Sequence, residues 1–190
     1  MVDVWHVKDN MIDIINKHIE SKKGVHIKKG IQPFDWEVVV DHLQKCADEE
    51  RAGAPYGMLS YQLNQAEEIK DVKNVIDYLN EDLSLKIFDA HIFTSFTKKS
   101  PTQRHRDNHN VLLWAITDNM TVKLYDDESD EPWYDEPLLK GDVFYIPANM
   151  EHKIEVSGAR ALVSFGIEVE PGVKYIDGVV NNPYYKKGQE

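Results

Sequence analysis

His105, Asp107 and His109 stand at every second position of the stretch QRHRDNHN, residues 103–110, where the chain turns apolar as VLLWAI. In an extended strand a spacing of two puts all three side chains on one face. Ionisable groups on an inward face need something to hold them, and a metal ion is one such partner. An imidazole and a carboxylate two residues apart can grip one ion from adjacent corners. The third donor must come from a distant strand. His152, in LLKGDVFYIPANMEHKIEV at residues 138–156, supplies it.

Two histidines and one carboxylate on one face of an ion make the facial triad of non-haem Fe(II) sites. Such a site keeps positions open, whereas a structural zinc site closes all four. The ligands must be neutral imidazoles and an ionised carboxylate, so metal binding should weaken as pH falls through the histidine range. The second segment has a means of presenting its histidine. Gly141-Asp142 makes a tight turn, a strand follows, and Pro147 ends it. Asn149 tolerates a left-handed conformation and returns the chain so that His152 lies over the mouth of the barrel.

Those elements have to be held by the rest of the chain. At 190 residues there is length for one domain with a sizeable core. Met11, Ile12, Ile15 and Ile19 follow helical spacing, with Gly24 as the stop. GVHIKKGI, residues 24–31, reads as a strand or an extended link. Asp35 is an N-cap for a helix that turns Trp36, Val39, Val40 and Leu43 to the core. RAGAPYG, 51–57, reads as a loop. Residues 66–82 form a third helix with Ile69, Val72, Val75, Ile76 and Leu79 in one stripe.

From Leu85 onward the runs are short and rich in β-branched and aromatic residues, with turn signals between them, as in a sandwich or barrel. Trp114 and Tyr125 read as core, and His91 as a satisfied core histidine. His6, His18, His26 and His42 share no spacing. The acidic tract at 126–136, with Trp133 and Tyr134, reads as a solvated excursion between strands, with a flap over the site as the alternative. The expected organisation is a mostly helical segment, 1–84, packed on a metal-binding barrel, 85–180, in a single structural domain.

Composition narrows the classes further. A net charge of −11 argues against nucleic acid as a general partner, although QRHR and the lysines at 98–99 make small basic spots beside the site. Cys46 is alone, which excludes an intrachain disulfide and a thiolate zinc cage. No secretory leader and no membrane span is read, so a cytoplasmic protein is expected. No nucleophile elbow, P-loop or dinucleotide-binding glycine pattern occurs, and GAPYG at 53–57 lacks the Lys-Ser/Thr that would follow in a P-loop.

GDVFYIPANMEH resembles the second cupin motif through Gly141, Pro147 and His152, with Asn149 in place of a usual glycine. Where the first cupin motif carries HxH, this chain has HRD. That departure resembles the cupin-fold Fe(II)/2-oxoglutarate-dependent oxygenases, and among them the JmjC-type hydroxylases, over roughly residues 85–170. The resemblance implies a double-stranded β-helix (cupin or jelly-roll barrel), mainly β with N-terminal helices. It implies Fe(II) on His105, Asp107 and His152, with 2-oxoglutarate as co-substrate.

The far carboxylate of 2-oxoglutarate would need a cation. The JmjC-type pattern puts one about thirteen residues past the Asp, where this chain has Met120; Lys123 lies three further on. A prolyl-hydroxylase-like solution, an Arg shortly after the distal histidine, is available in Arg160, with Ser164 nearby. A guanidinium matches a carboxylate bidentately, which favours Arg160 over Lys123. Thr94 and Asn110 stand where such folds help hold the co-substrate. His109 would be either a group that orients a ligand or a pocket-lining residue.

The reading is a dioxygenase that hydroxylates a protein side chain or a small molecule. Two alternatives stand beside it: a metal-dependent cupin dioxygenase or isomerase without 2-oxoglutarate, and a non-catalytic cupin binding module. Substrate, demethylation against hydroxylation, and oligomeric state are not encoded legibly.

Overall fold

The computed structural model describes residues 7–50, 59–98, 103–126 and 129–174. In chain order the elements are α1 (Met11–Ser21), β1 (Val25–Ile27), α2 (Trp36–Asp48), β2 (Ser60–Leu63), a short 3-10 turn (Ala66–Glu68) and α3 (Lys70–Asp82). Seven strands follow: β3 (Ile87–Ser95), β4 (Asn110–Ala115), β5 (Met120–Tyr125), β6 (Tyr134–Leu138), β7 (Val143–Ile146), β8 (Glu151–Val156) and β9 (Arg160–Ile167). A six-stranded sheet runs β1-β7-β4-β9-β3-β2 and a three-stranded sheet runs β6-β5-β8. Every pairing is antiparallel. The two sheets face each other as a double-stranded β-helix, the fold expected from the two motifs.

The larger sheet is buried on both faces, which explains why β4 and β9 read as continuous apolar runs rather than alternating ones. Along β4, Val111, Leu113 and Ala115 point between the sheets, where they meet Val122, Leu124 and Ile154 of the smaller sheet. Leu112 and Trp114 point the other way, into a cluster with Met11, Ile15, Val72 and Leu79 from the helices. Trp114 is fully buried, edge-on to Phe34 at 5.3 Å, with its indole N–H donating to Ile31 O at 3.3 Å. Both edges of the large sheet are completed from the first 63 residues, by β1 against β7 and by β2 against β3.

Several local expectations change. Helix α1 stops at Lys22, itself left-handed at φ 51°, and not at Gly24. Asp35 is the N-cap of α2, but its side chain makes no capping bond. Val40 lies exposed, because the buried stripe of α2 runs through Val39, His42 and Cys46. Residues 66–68 form a 3-10 turn, so α3 begins only at Lys70. The acidic tract is not all loop: from Tyr134 it becomes β6, paired along β5. The loop read at 51–57 lies outside the described residues. Gly141 (φ 87°) and Asn149 (φ 65°) take the left-handed conformations their turns require. Among the described residues no helix is long and apolar enough to cross a membrane.

Candidate metal centre

Residues 103–109 form no regular strand, yet they are tied to β8 by backbone bonds. His105 N–H donates to His152 O at 3.0 Å, and His152 N–H donates to His105 O at 2.9 Å. Two residues on, Asn149 N–H donates to Asp107 O at 2.8 Å. This pairing brings three donors from distant parts of the chain together: one nitrogen or oxygen from each of His105, Asp107 and His152 lies within 4.8 Å of the others. His152 Nε2 is 3.4 Å from Asp107 Oδ2 and His105 Nε2 is 3.8 Å from Asp107 Oδ1.

The tautomers follow from the outer ring nitrogens. His105 Nδ1 meets Gln103 O at 2.8 Å and His152 Nδ1 meets Met150 O at 3.0 Å. A carbonyl only accepts, so each Nδ1 carries the proton and each Nε2 presents a lone pair toward Asp107. His152 is only 3 % exposed. Burial pushes its pKa down, against the pull of Asp107, and favours the neutral form that a metal requires. A set of two imidazole nitrogens and one carboxylate suits a divalent transition metal with open positions.

The triad opens into a cavity of about 270 Å³ whose walls include Phe93, Val111, Leu113, Ile154 and Leu162. Arg160 lines the same cavity, with Ser164. Its guanidinium is 2 % exposed, its Nε has no hydrogen-bond partner, and no carboxylate among the described residues pairs with it. Burial alone pushes its pKa down to about 10. A buried cation without a counter-charge is costly unless an anion arrives to meet it.

Three other proposed co-substrate residues lie elsewhere. Lys123 points out of β5 and pairs with Asp135 at 3.3 Å and Glu155 at 3.0 Å, because only Met120, Val122 and Leu124 of that strand face inward. Thr94 faces the helices and gives its hydroxyl to Arg160 O at 3.0 Å. Asn110 also faces away; its Oδ1 accepts from Tyr145 Oη at 3.0 Å and from Ala148 N at 2.9 Å, bracing the Pro147 turn.

His91, read from the sequence as a core histidine, lines the cavity with an unpartnered Nδ1. Its Nε2 lies 3.5 Å from Asp89, another lining residue that the sequence reading passed over. The DAH spacing carried the signal, since it is the same period of two as in HRD. Burial works against the Asp89 charge, but His91 and the Gly166 N–H at 3.1 Å hold its pKa below the usual carboxylate range. His109 lines the cavity too, with Nδ1 on Asn108 Oδ1 at 3.0 Å. Tyr125 is not core: it lies half-buried under the Arg104 guanidinium at 4.1 Å.

No family model matches the sequence, and no curated protein matches it. Solved structures do match the fold. YcfD, a ribosomal oxygenase from Escherichia coli in complex with cobalt and 2-oxoglutarate, aligns with a TM-score of 0.70 at 20% identity. The alignment covers 86% of this chain and 53% of that one, so the chain spans about half the length of YcfD. The epimerase SnoN, in complex with Fe3+, alpha-ketoglutarate and nogalamycin RO, aligns with a TM-score of 0.54 at 16% identity, covering 95% of this chain and 93% of that one. The chain thus has the barrel fold of these cupin-type enzymes.

Proposed function

We propose that this chain is an Fe(II)- and 2-oxoglutarate-dependent oxygenase acting on a C–H bond of a protein side chain or a small molecule. The observation that carries the reading is Arg160, a buried guanidinium with no carboxylate partner among the described residues, in the same cavity as the His105, Asp107 and His152 donors. A metal alone would not call for it; a metal-chelating dianion with a second carboxylate would. The structural neighbours bound to a metal and 2-oxoglutarate support the same assignment.

In this reading His105 Nε2, His152 Nε2 and the Asp107 carboxylate hold the metal. When bound, Fe(II) supplies oxygen activation coupled to decarboxylation of 2-oxoglutarate, chemistry that belongs to the cofactor. The chain's own part is orientation and exclusion of water. The Gln103 and Met150 carbonyls hold the imidazoles in the right tautomer, Arg160 takes the far carboxylate beside Ser164, and the apolar wall keeps the cavity dry. Residues 1–84 would complete the barrel as one domain, in keeping with the hydrophobic cluster they share with the large sheet. A cytoplasmic setting suits the lone buried thiol of Cys46 and a ferrous ion.

The test is calorimetric titration of 2-oxoglutarate with and without Mn(II) as an inert stand-in. Metal-dependent binding that is lost in Arg160→Ala is expected. A filled metal site that ignores 2-oxoglutarate would remove the co-substrate from the assignment, and failure to bind Mn(II) would remove the metal.

A further inference from the structure

Two of the three metal donors sit on a segment that no sheet ladder supports among the described residues, where the reciprocal bonds between His105 and His152 are its one strand-like bridge. This bridge and the bond from Asn149 N–H to Asp107 O fix the path of the backbone, but so short a tie resists rotation of the segment less than a continuous ladder does. Side-chain contacts can add what the backbone ties lack and hold Asp107 at a fixed angle to His152. The basic residues that interleave with the donors do this. Alternation sends Arg104 and Arg106 to the side opposite His105 and Asp107, and Glu151 to the side opposite its neighbour His152.

All three meet there. Glu151 Oε1 is 2.8 Å from Arg104 Nε, and its Oε2 accepts from Arg104 Nη2 at 2.9 Å and from Arg106 Nη2 at 3.0 Å. Arg106 Nη1 reaches on to Asn149 O at 3.1 Å, in the turn that also binds the Asp107 backbone. Arg104 is stacked on Tyr125, and its Nη1 reaches Asp130 of the acidic tract at 3.4 Å.

We infer that Glu151 is a positioning residue for the metal centre, a single carboxylate that clamps the arginines on either side of His105 and so fixes Asp107 against His152. It is neither one of the three donors nor a residue that lines the cavity. The inference rests on the metal reading above. Geometry gives the clamp its leverage. The hydrogen bonds from Arg104 Nη2 and Arg106 Nη2 that share one carboxylate oxygen are directional, so they resist the rotation that the short backbone tie permits. Without the carboxylate, two like charges flank His105 with their common partner gone.

The same strand provides an internal control. Glu155 also holds two cations, Lys123 at 3.0 Å and Lys153 at 2.7 Å; Lys153 follows His152, but both lysines lie within the continuous β5–β8 ladder, and neither belongs to the segment that carries His105 and Asp107. The experiment measures Mn(II) affinity from the free-ion electron paramagnetic resonance signal, together with thermal midpoints, in wild type, Glu151→Gln, Glu151→Asp and Glu155→Gln. Glu151→Gln should weaken Mn(II) binding by about 10-fold or more, the scale seen when groups supporting metal ligands are lost. Glu151→Asp should restore most of it, and Glu155→Gln should leave it unchanged despite a similar thermal midpoint. Equal weakening in the two Gln variants would reduce Glu151 to sheet stabilisation and overturn the inference, as would unchanged affinity in Glu151→Gln. A wild-type protein that ignores Mn(II) would overturn the metal reading itself, and the clamp with it.

Discussion

Arg160 of β9 and Met120 of β5 meet across the barrel, with Nη1 4.0 Å from Sδ. The JmjC-like pattern expects a cation at position 120. Here a thioether stands there, and the cation reaches it from the opposite sheet. A thioether is a weak acceptor, so the contact leaves the charge essentially uncompensated. This leads to an asymmetric expectation for Arg160→Met, which keeps much of the volume and removes the charge. The thermal midpoint should hold or rise, since burying an unpaired charge disfavours the folded state, while metal-dependent 2-oxoglutarate binding disappears. A clear fall in midpoint would mean that Arg160 has a structural partner in the free protein.

Lys123, the other cation the sequence offered, should behave in the opposite way. Its ammonium is held on the outer face between Asp135 and Glu155. Lys123→Ala should leave 2-oxoglutarate affinity unchanged and cost no more than about 0.5–1 kcal/mol, less in high salt. Calorimetry and thermal melts at two salt concentrations check both halves.

Lys123 and Arg160 also show which features were legible in the sequence and which were not. The strands after Leu85 announce themselves by β-branched and aromatic runs between turns, and Pro147 with Asn149 places His152. Facing is harder to read. Where one face of a strand is wet, as in β5, alternation marks Lys123 as outward. In β3 and β4 both faces are buried, so Thr94 and Asn110 show no contrast with His91 and Val111, and parity is settled only by packing against the helices. Strand β6 was hidden for a different reason: its acidic residues lie on an edge strand whose register is supplied by β5. Glu151 could not be singled out at all, because its partners lie about 45 residues away in sequence.

Asp89 gives a pH-dependent expectation. Its folded pKa lies below the usual value, with His91 and the Gly166 N–H outweighing the cost of burial. A depressed carboxylate contributes stability that is present above its unfolded pKa, about 3.9, and is lost as pH falls through the lower, folded value. A carbon-13 NMR titration should place the Asp89 midpoint below that reference, and His91→Phe should move it up. The pair depends on Gly166, where an added Cβ would collide with Asp89 Oδ1. Gly166→Ala should therefore displace the carboxylate and raise the same midpoint.

Asp142 pins the two sheets and the N-terminal segment together, away from the donors at the other end of β7. It is 3 % exposed and accepts from Lys29 N at 2.8 Å and Leu139 N at 3.1 Å. His26 Nε2 lies 2.8 Å from Asp142 Oδ2, and His26 Nδ1 lies 2.8 Å from the Tyr134 hydroxyl. Asp142 is an acceptor, so His26 donates from Nε2 and receives the Tyr134 proton at Nδ1. Burial, with Glu136 and Asp142 nearby, pushes the Tyr134 pKa up to about 12, which keeps that proton in place. Asp142→Ala strips three part-buried donors of one buried acceptor at once, at roughly 3 kcal/mol. In a protein of this size that is a fall of about 6–12 °C in thermal midpoint. His26→Phe should cost less, because Asp142 keeps both backbone donors, and adding it to Asp142→Ala should cost little more, since the bond they share is already gone. Mn(II) affinity measured well below the midpoint should match wild type in both variants; a loss there would mean that the pin reaches the donors through β7.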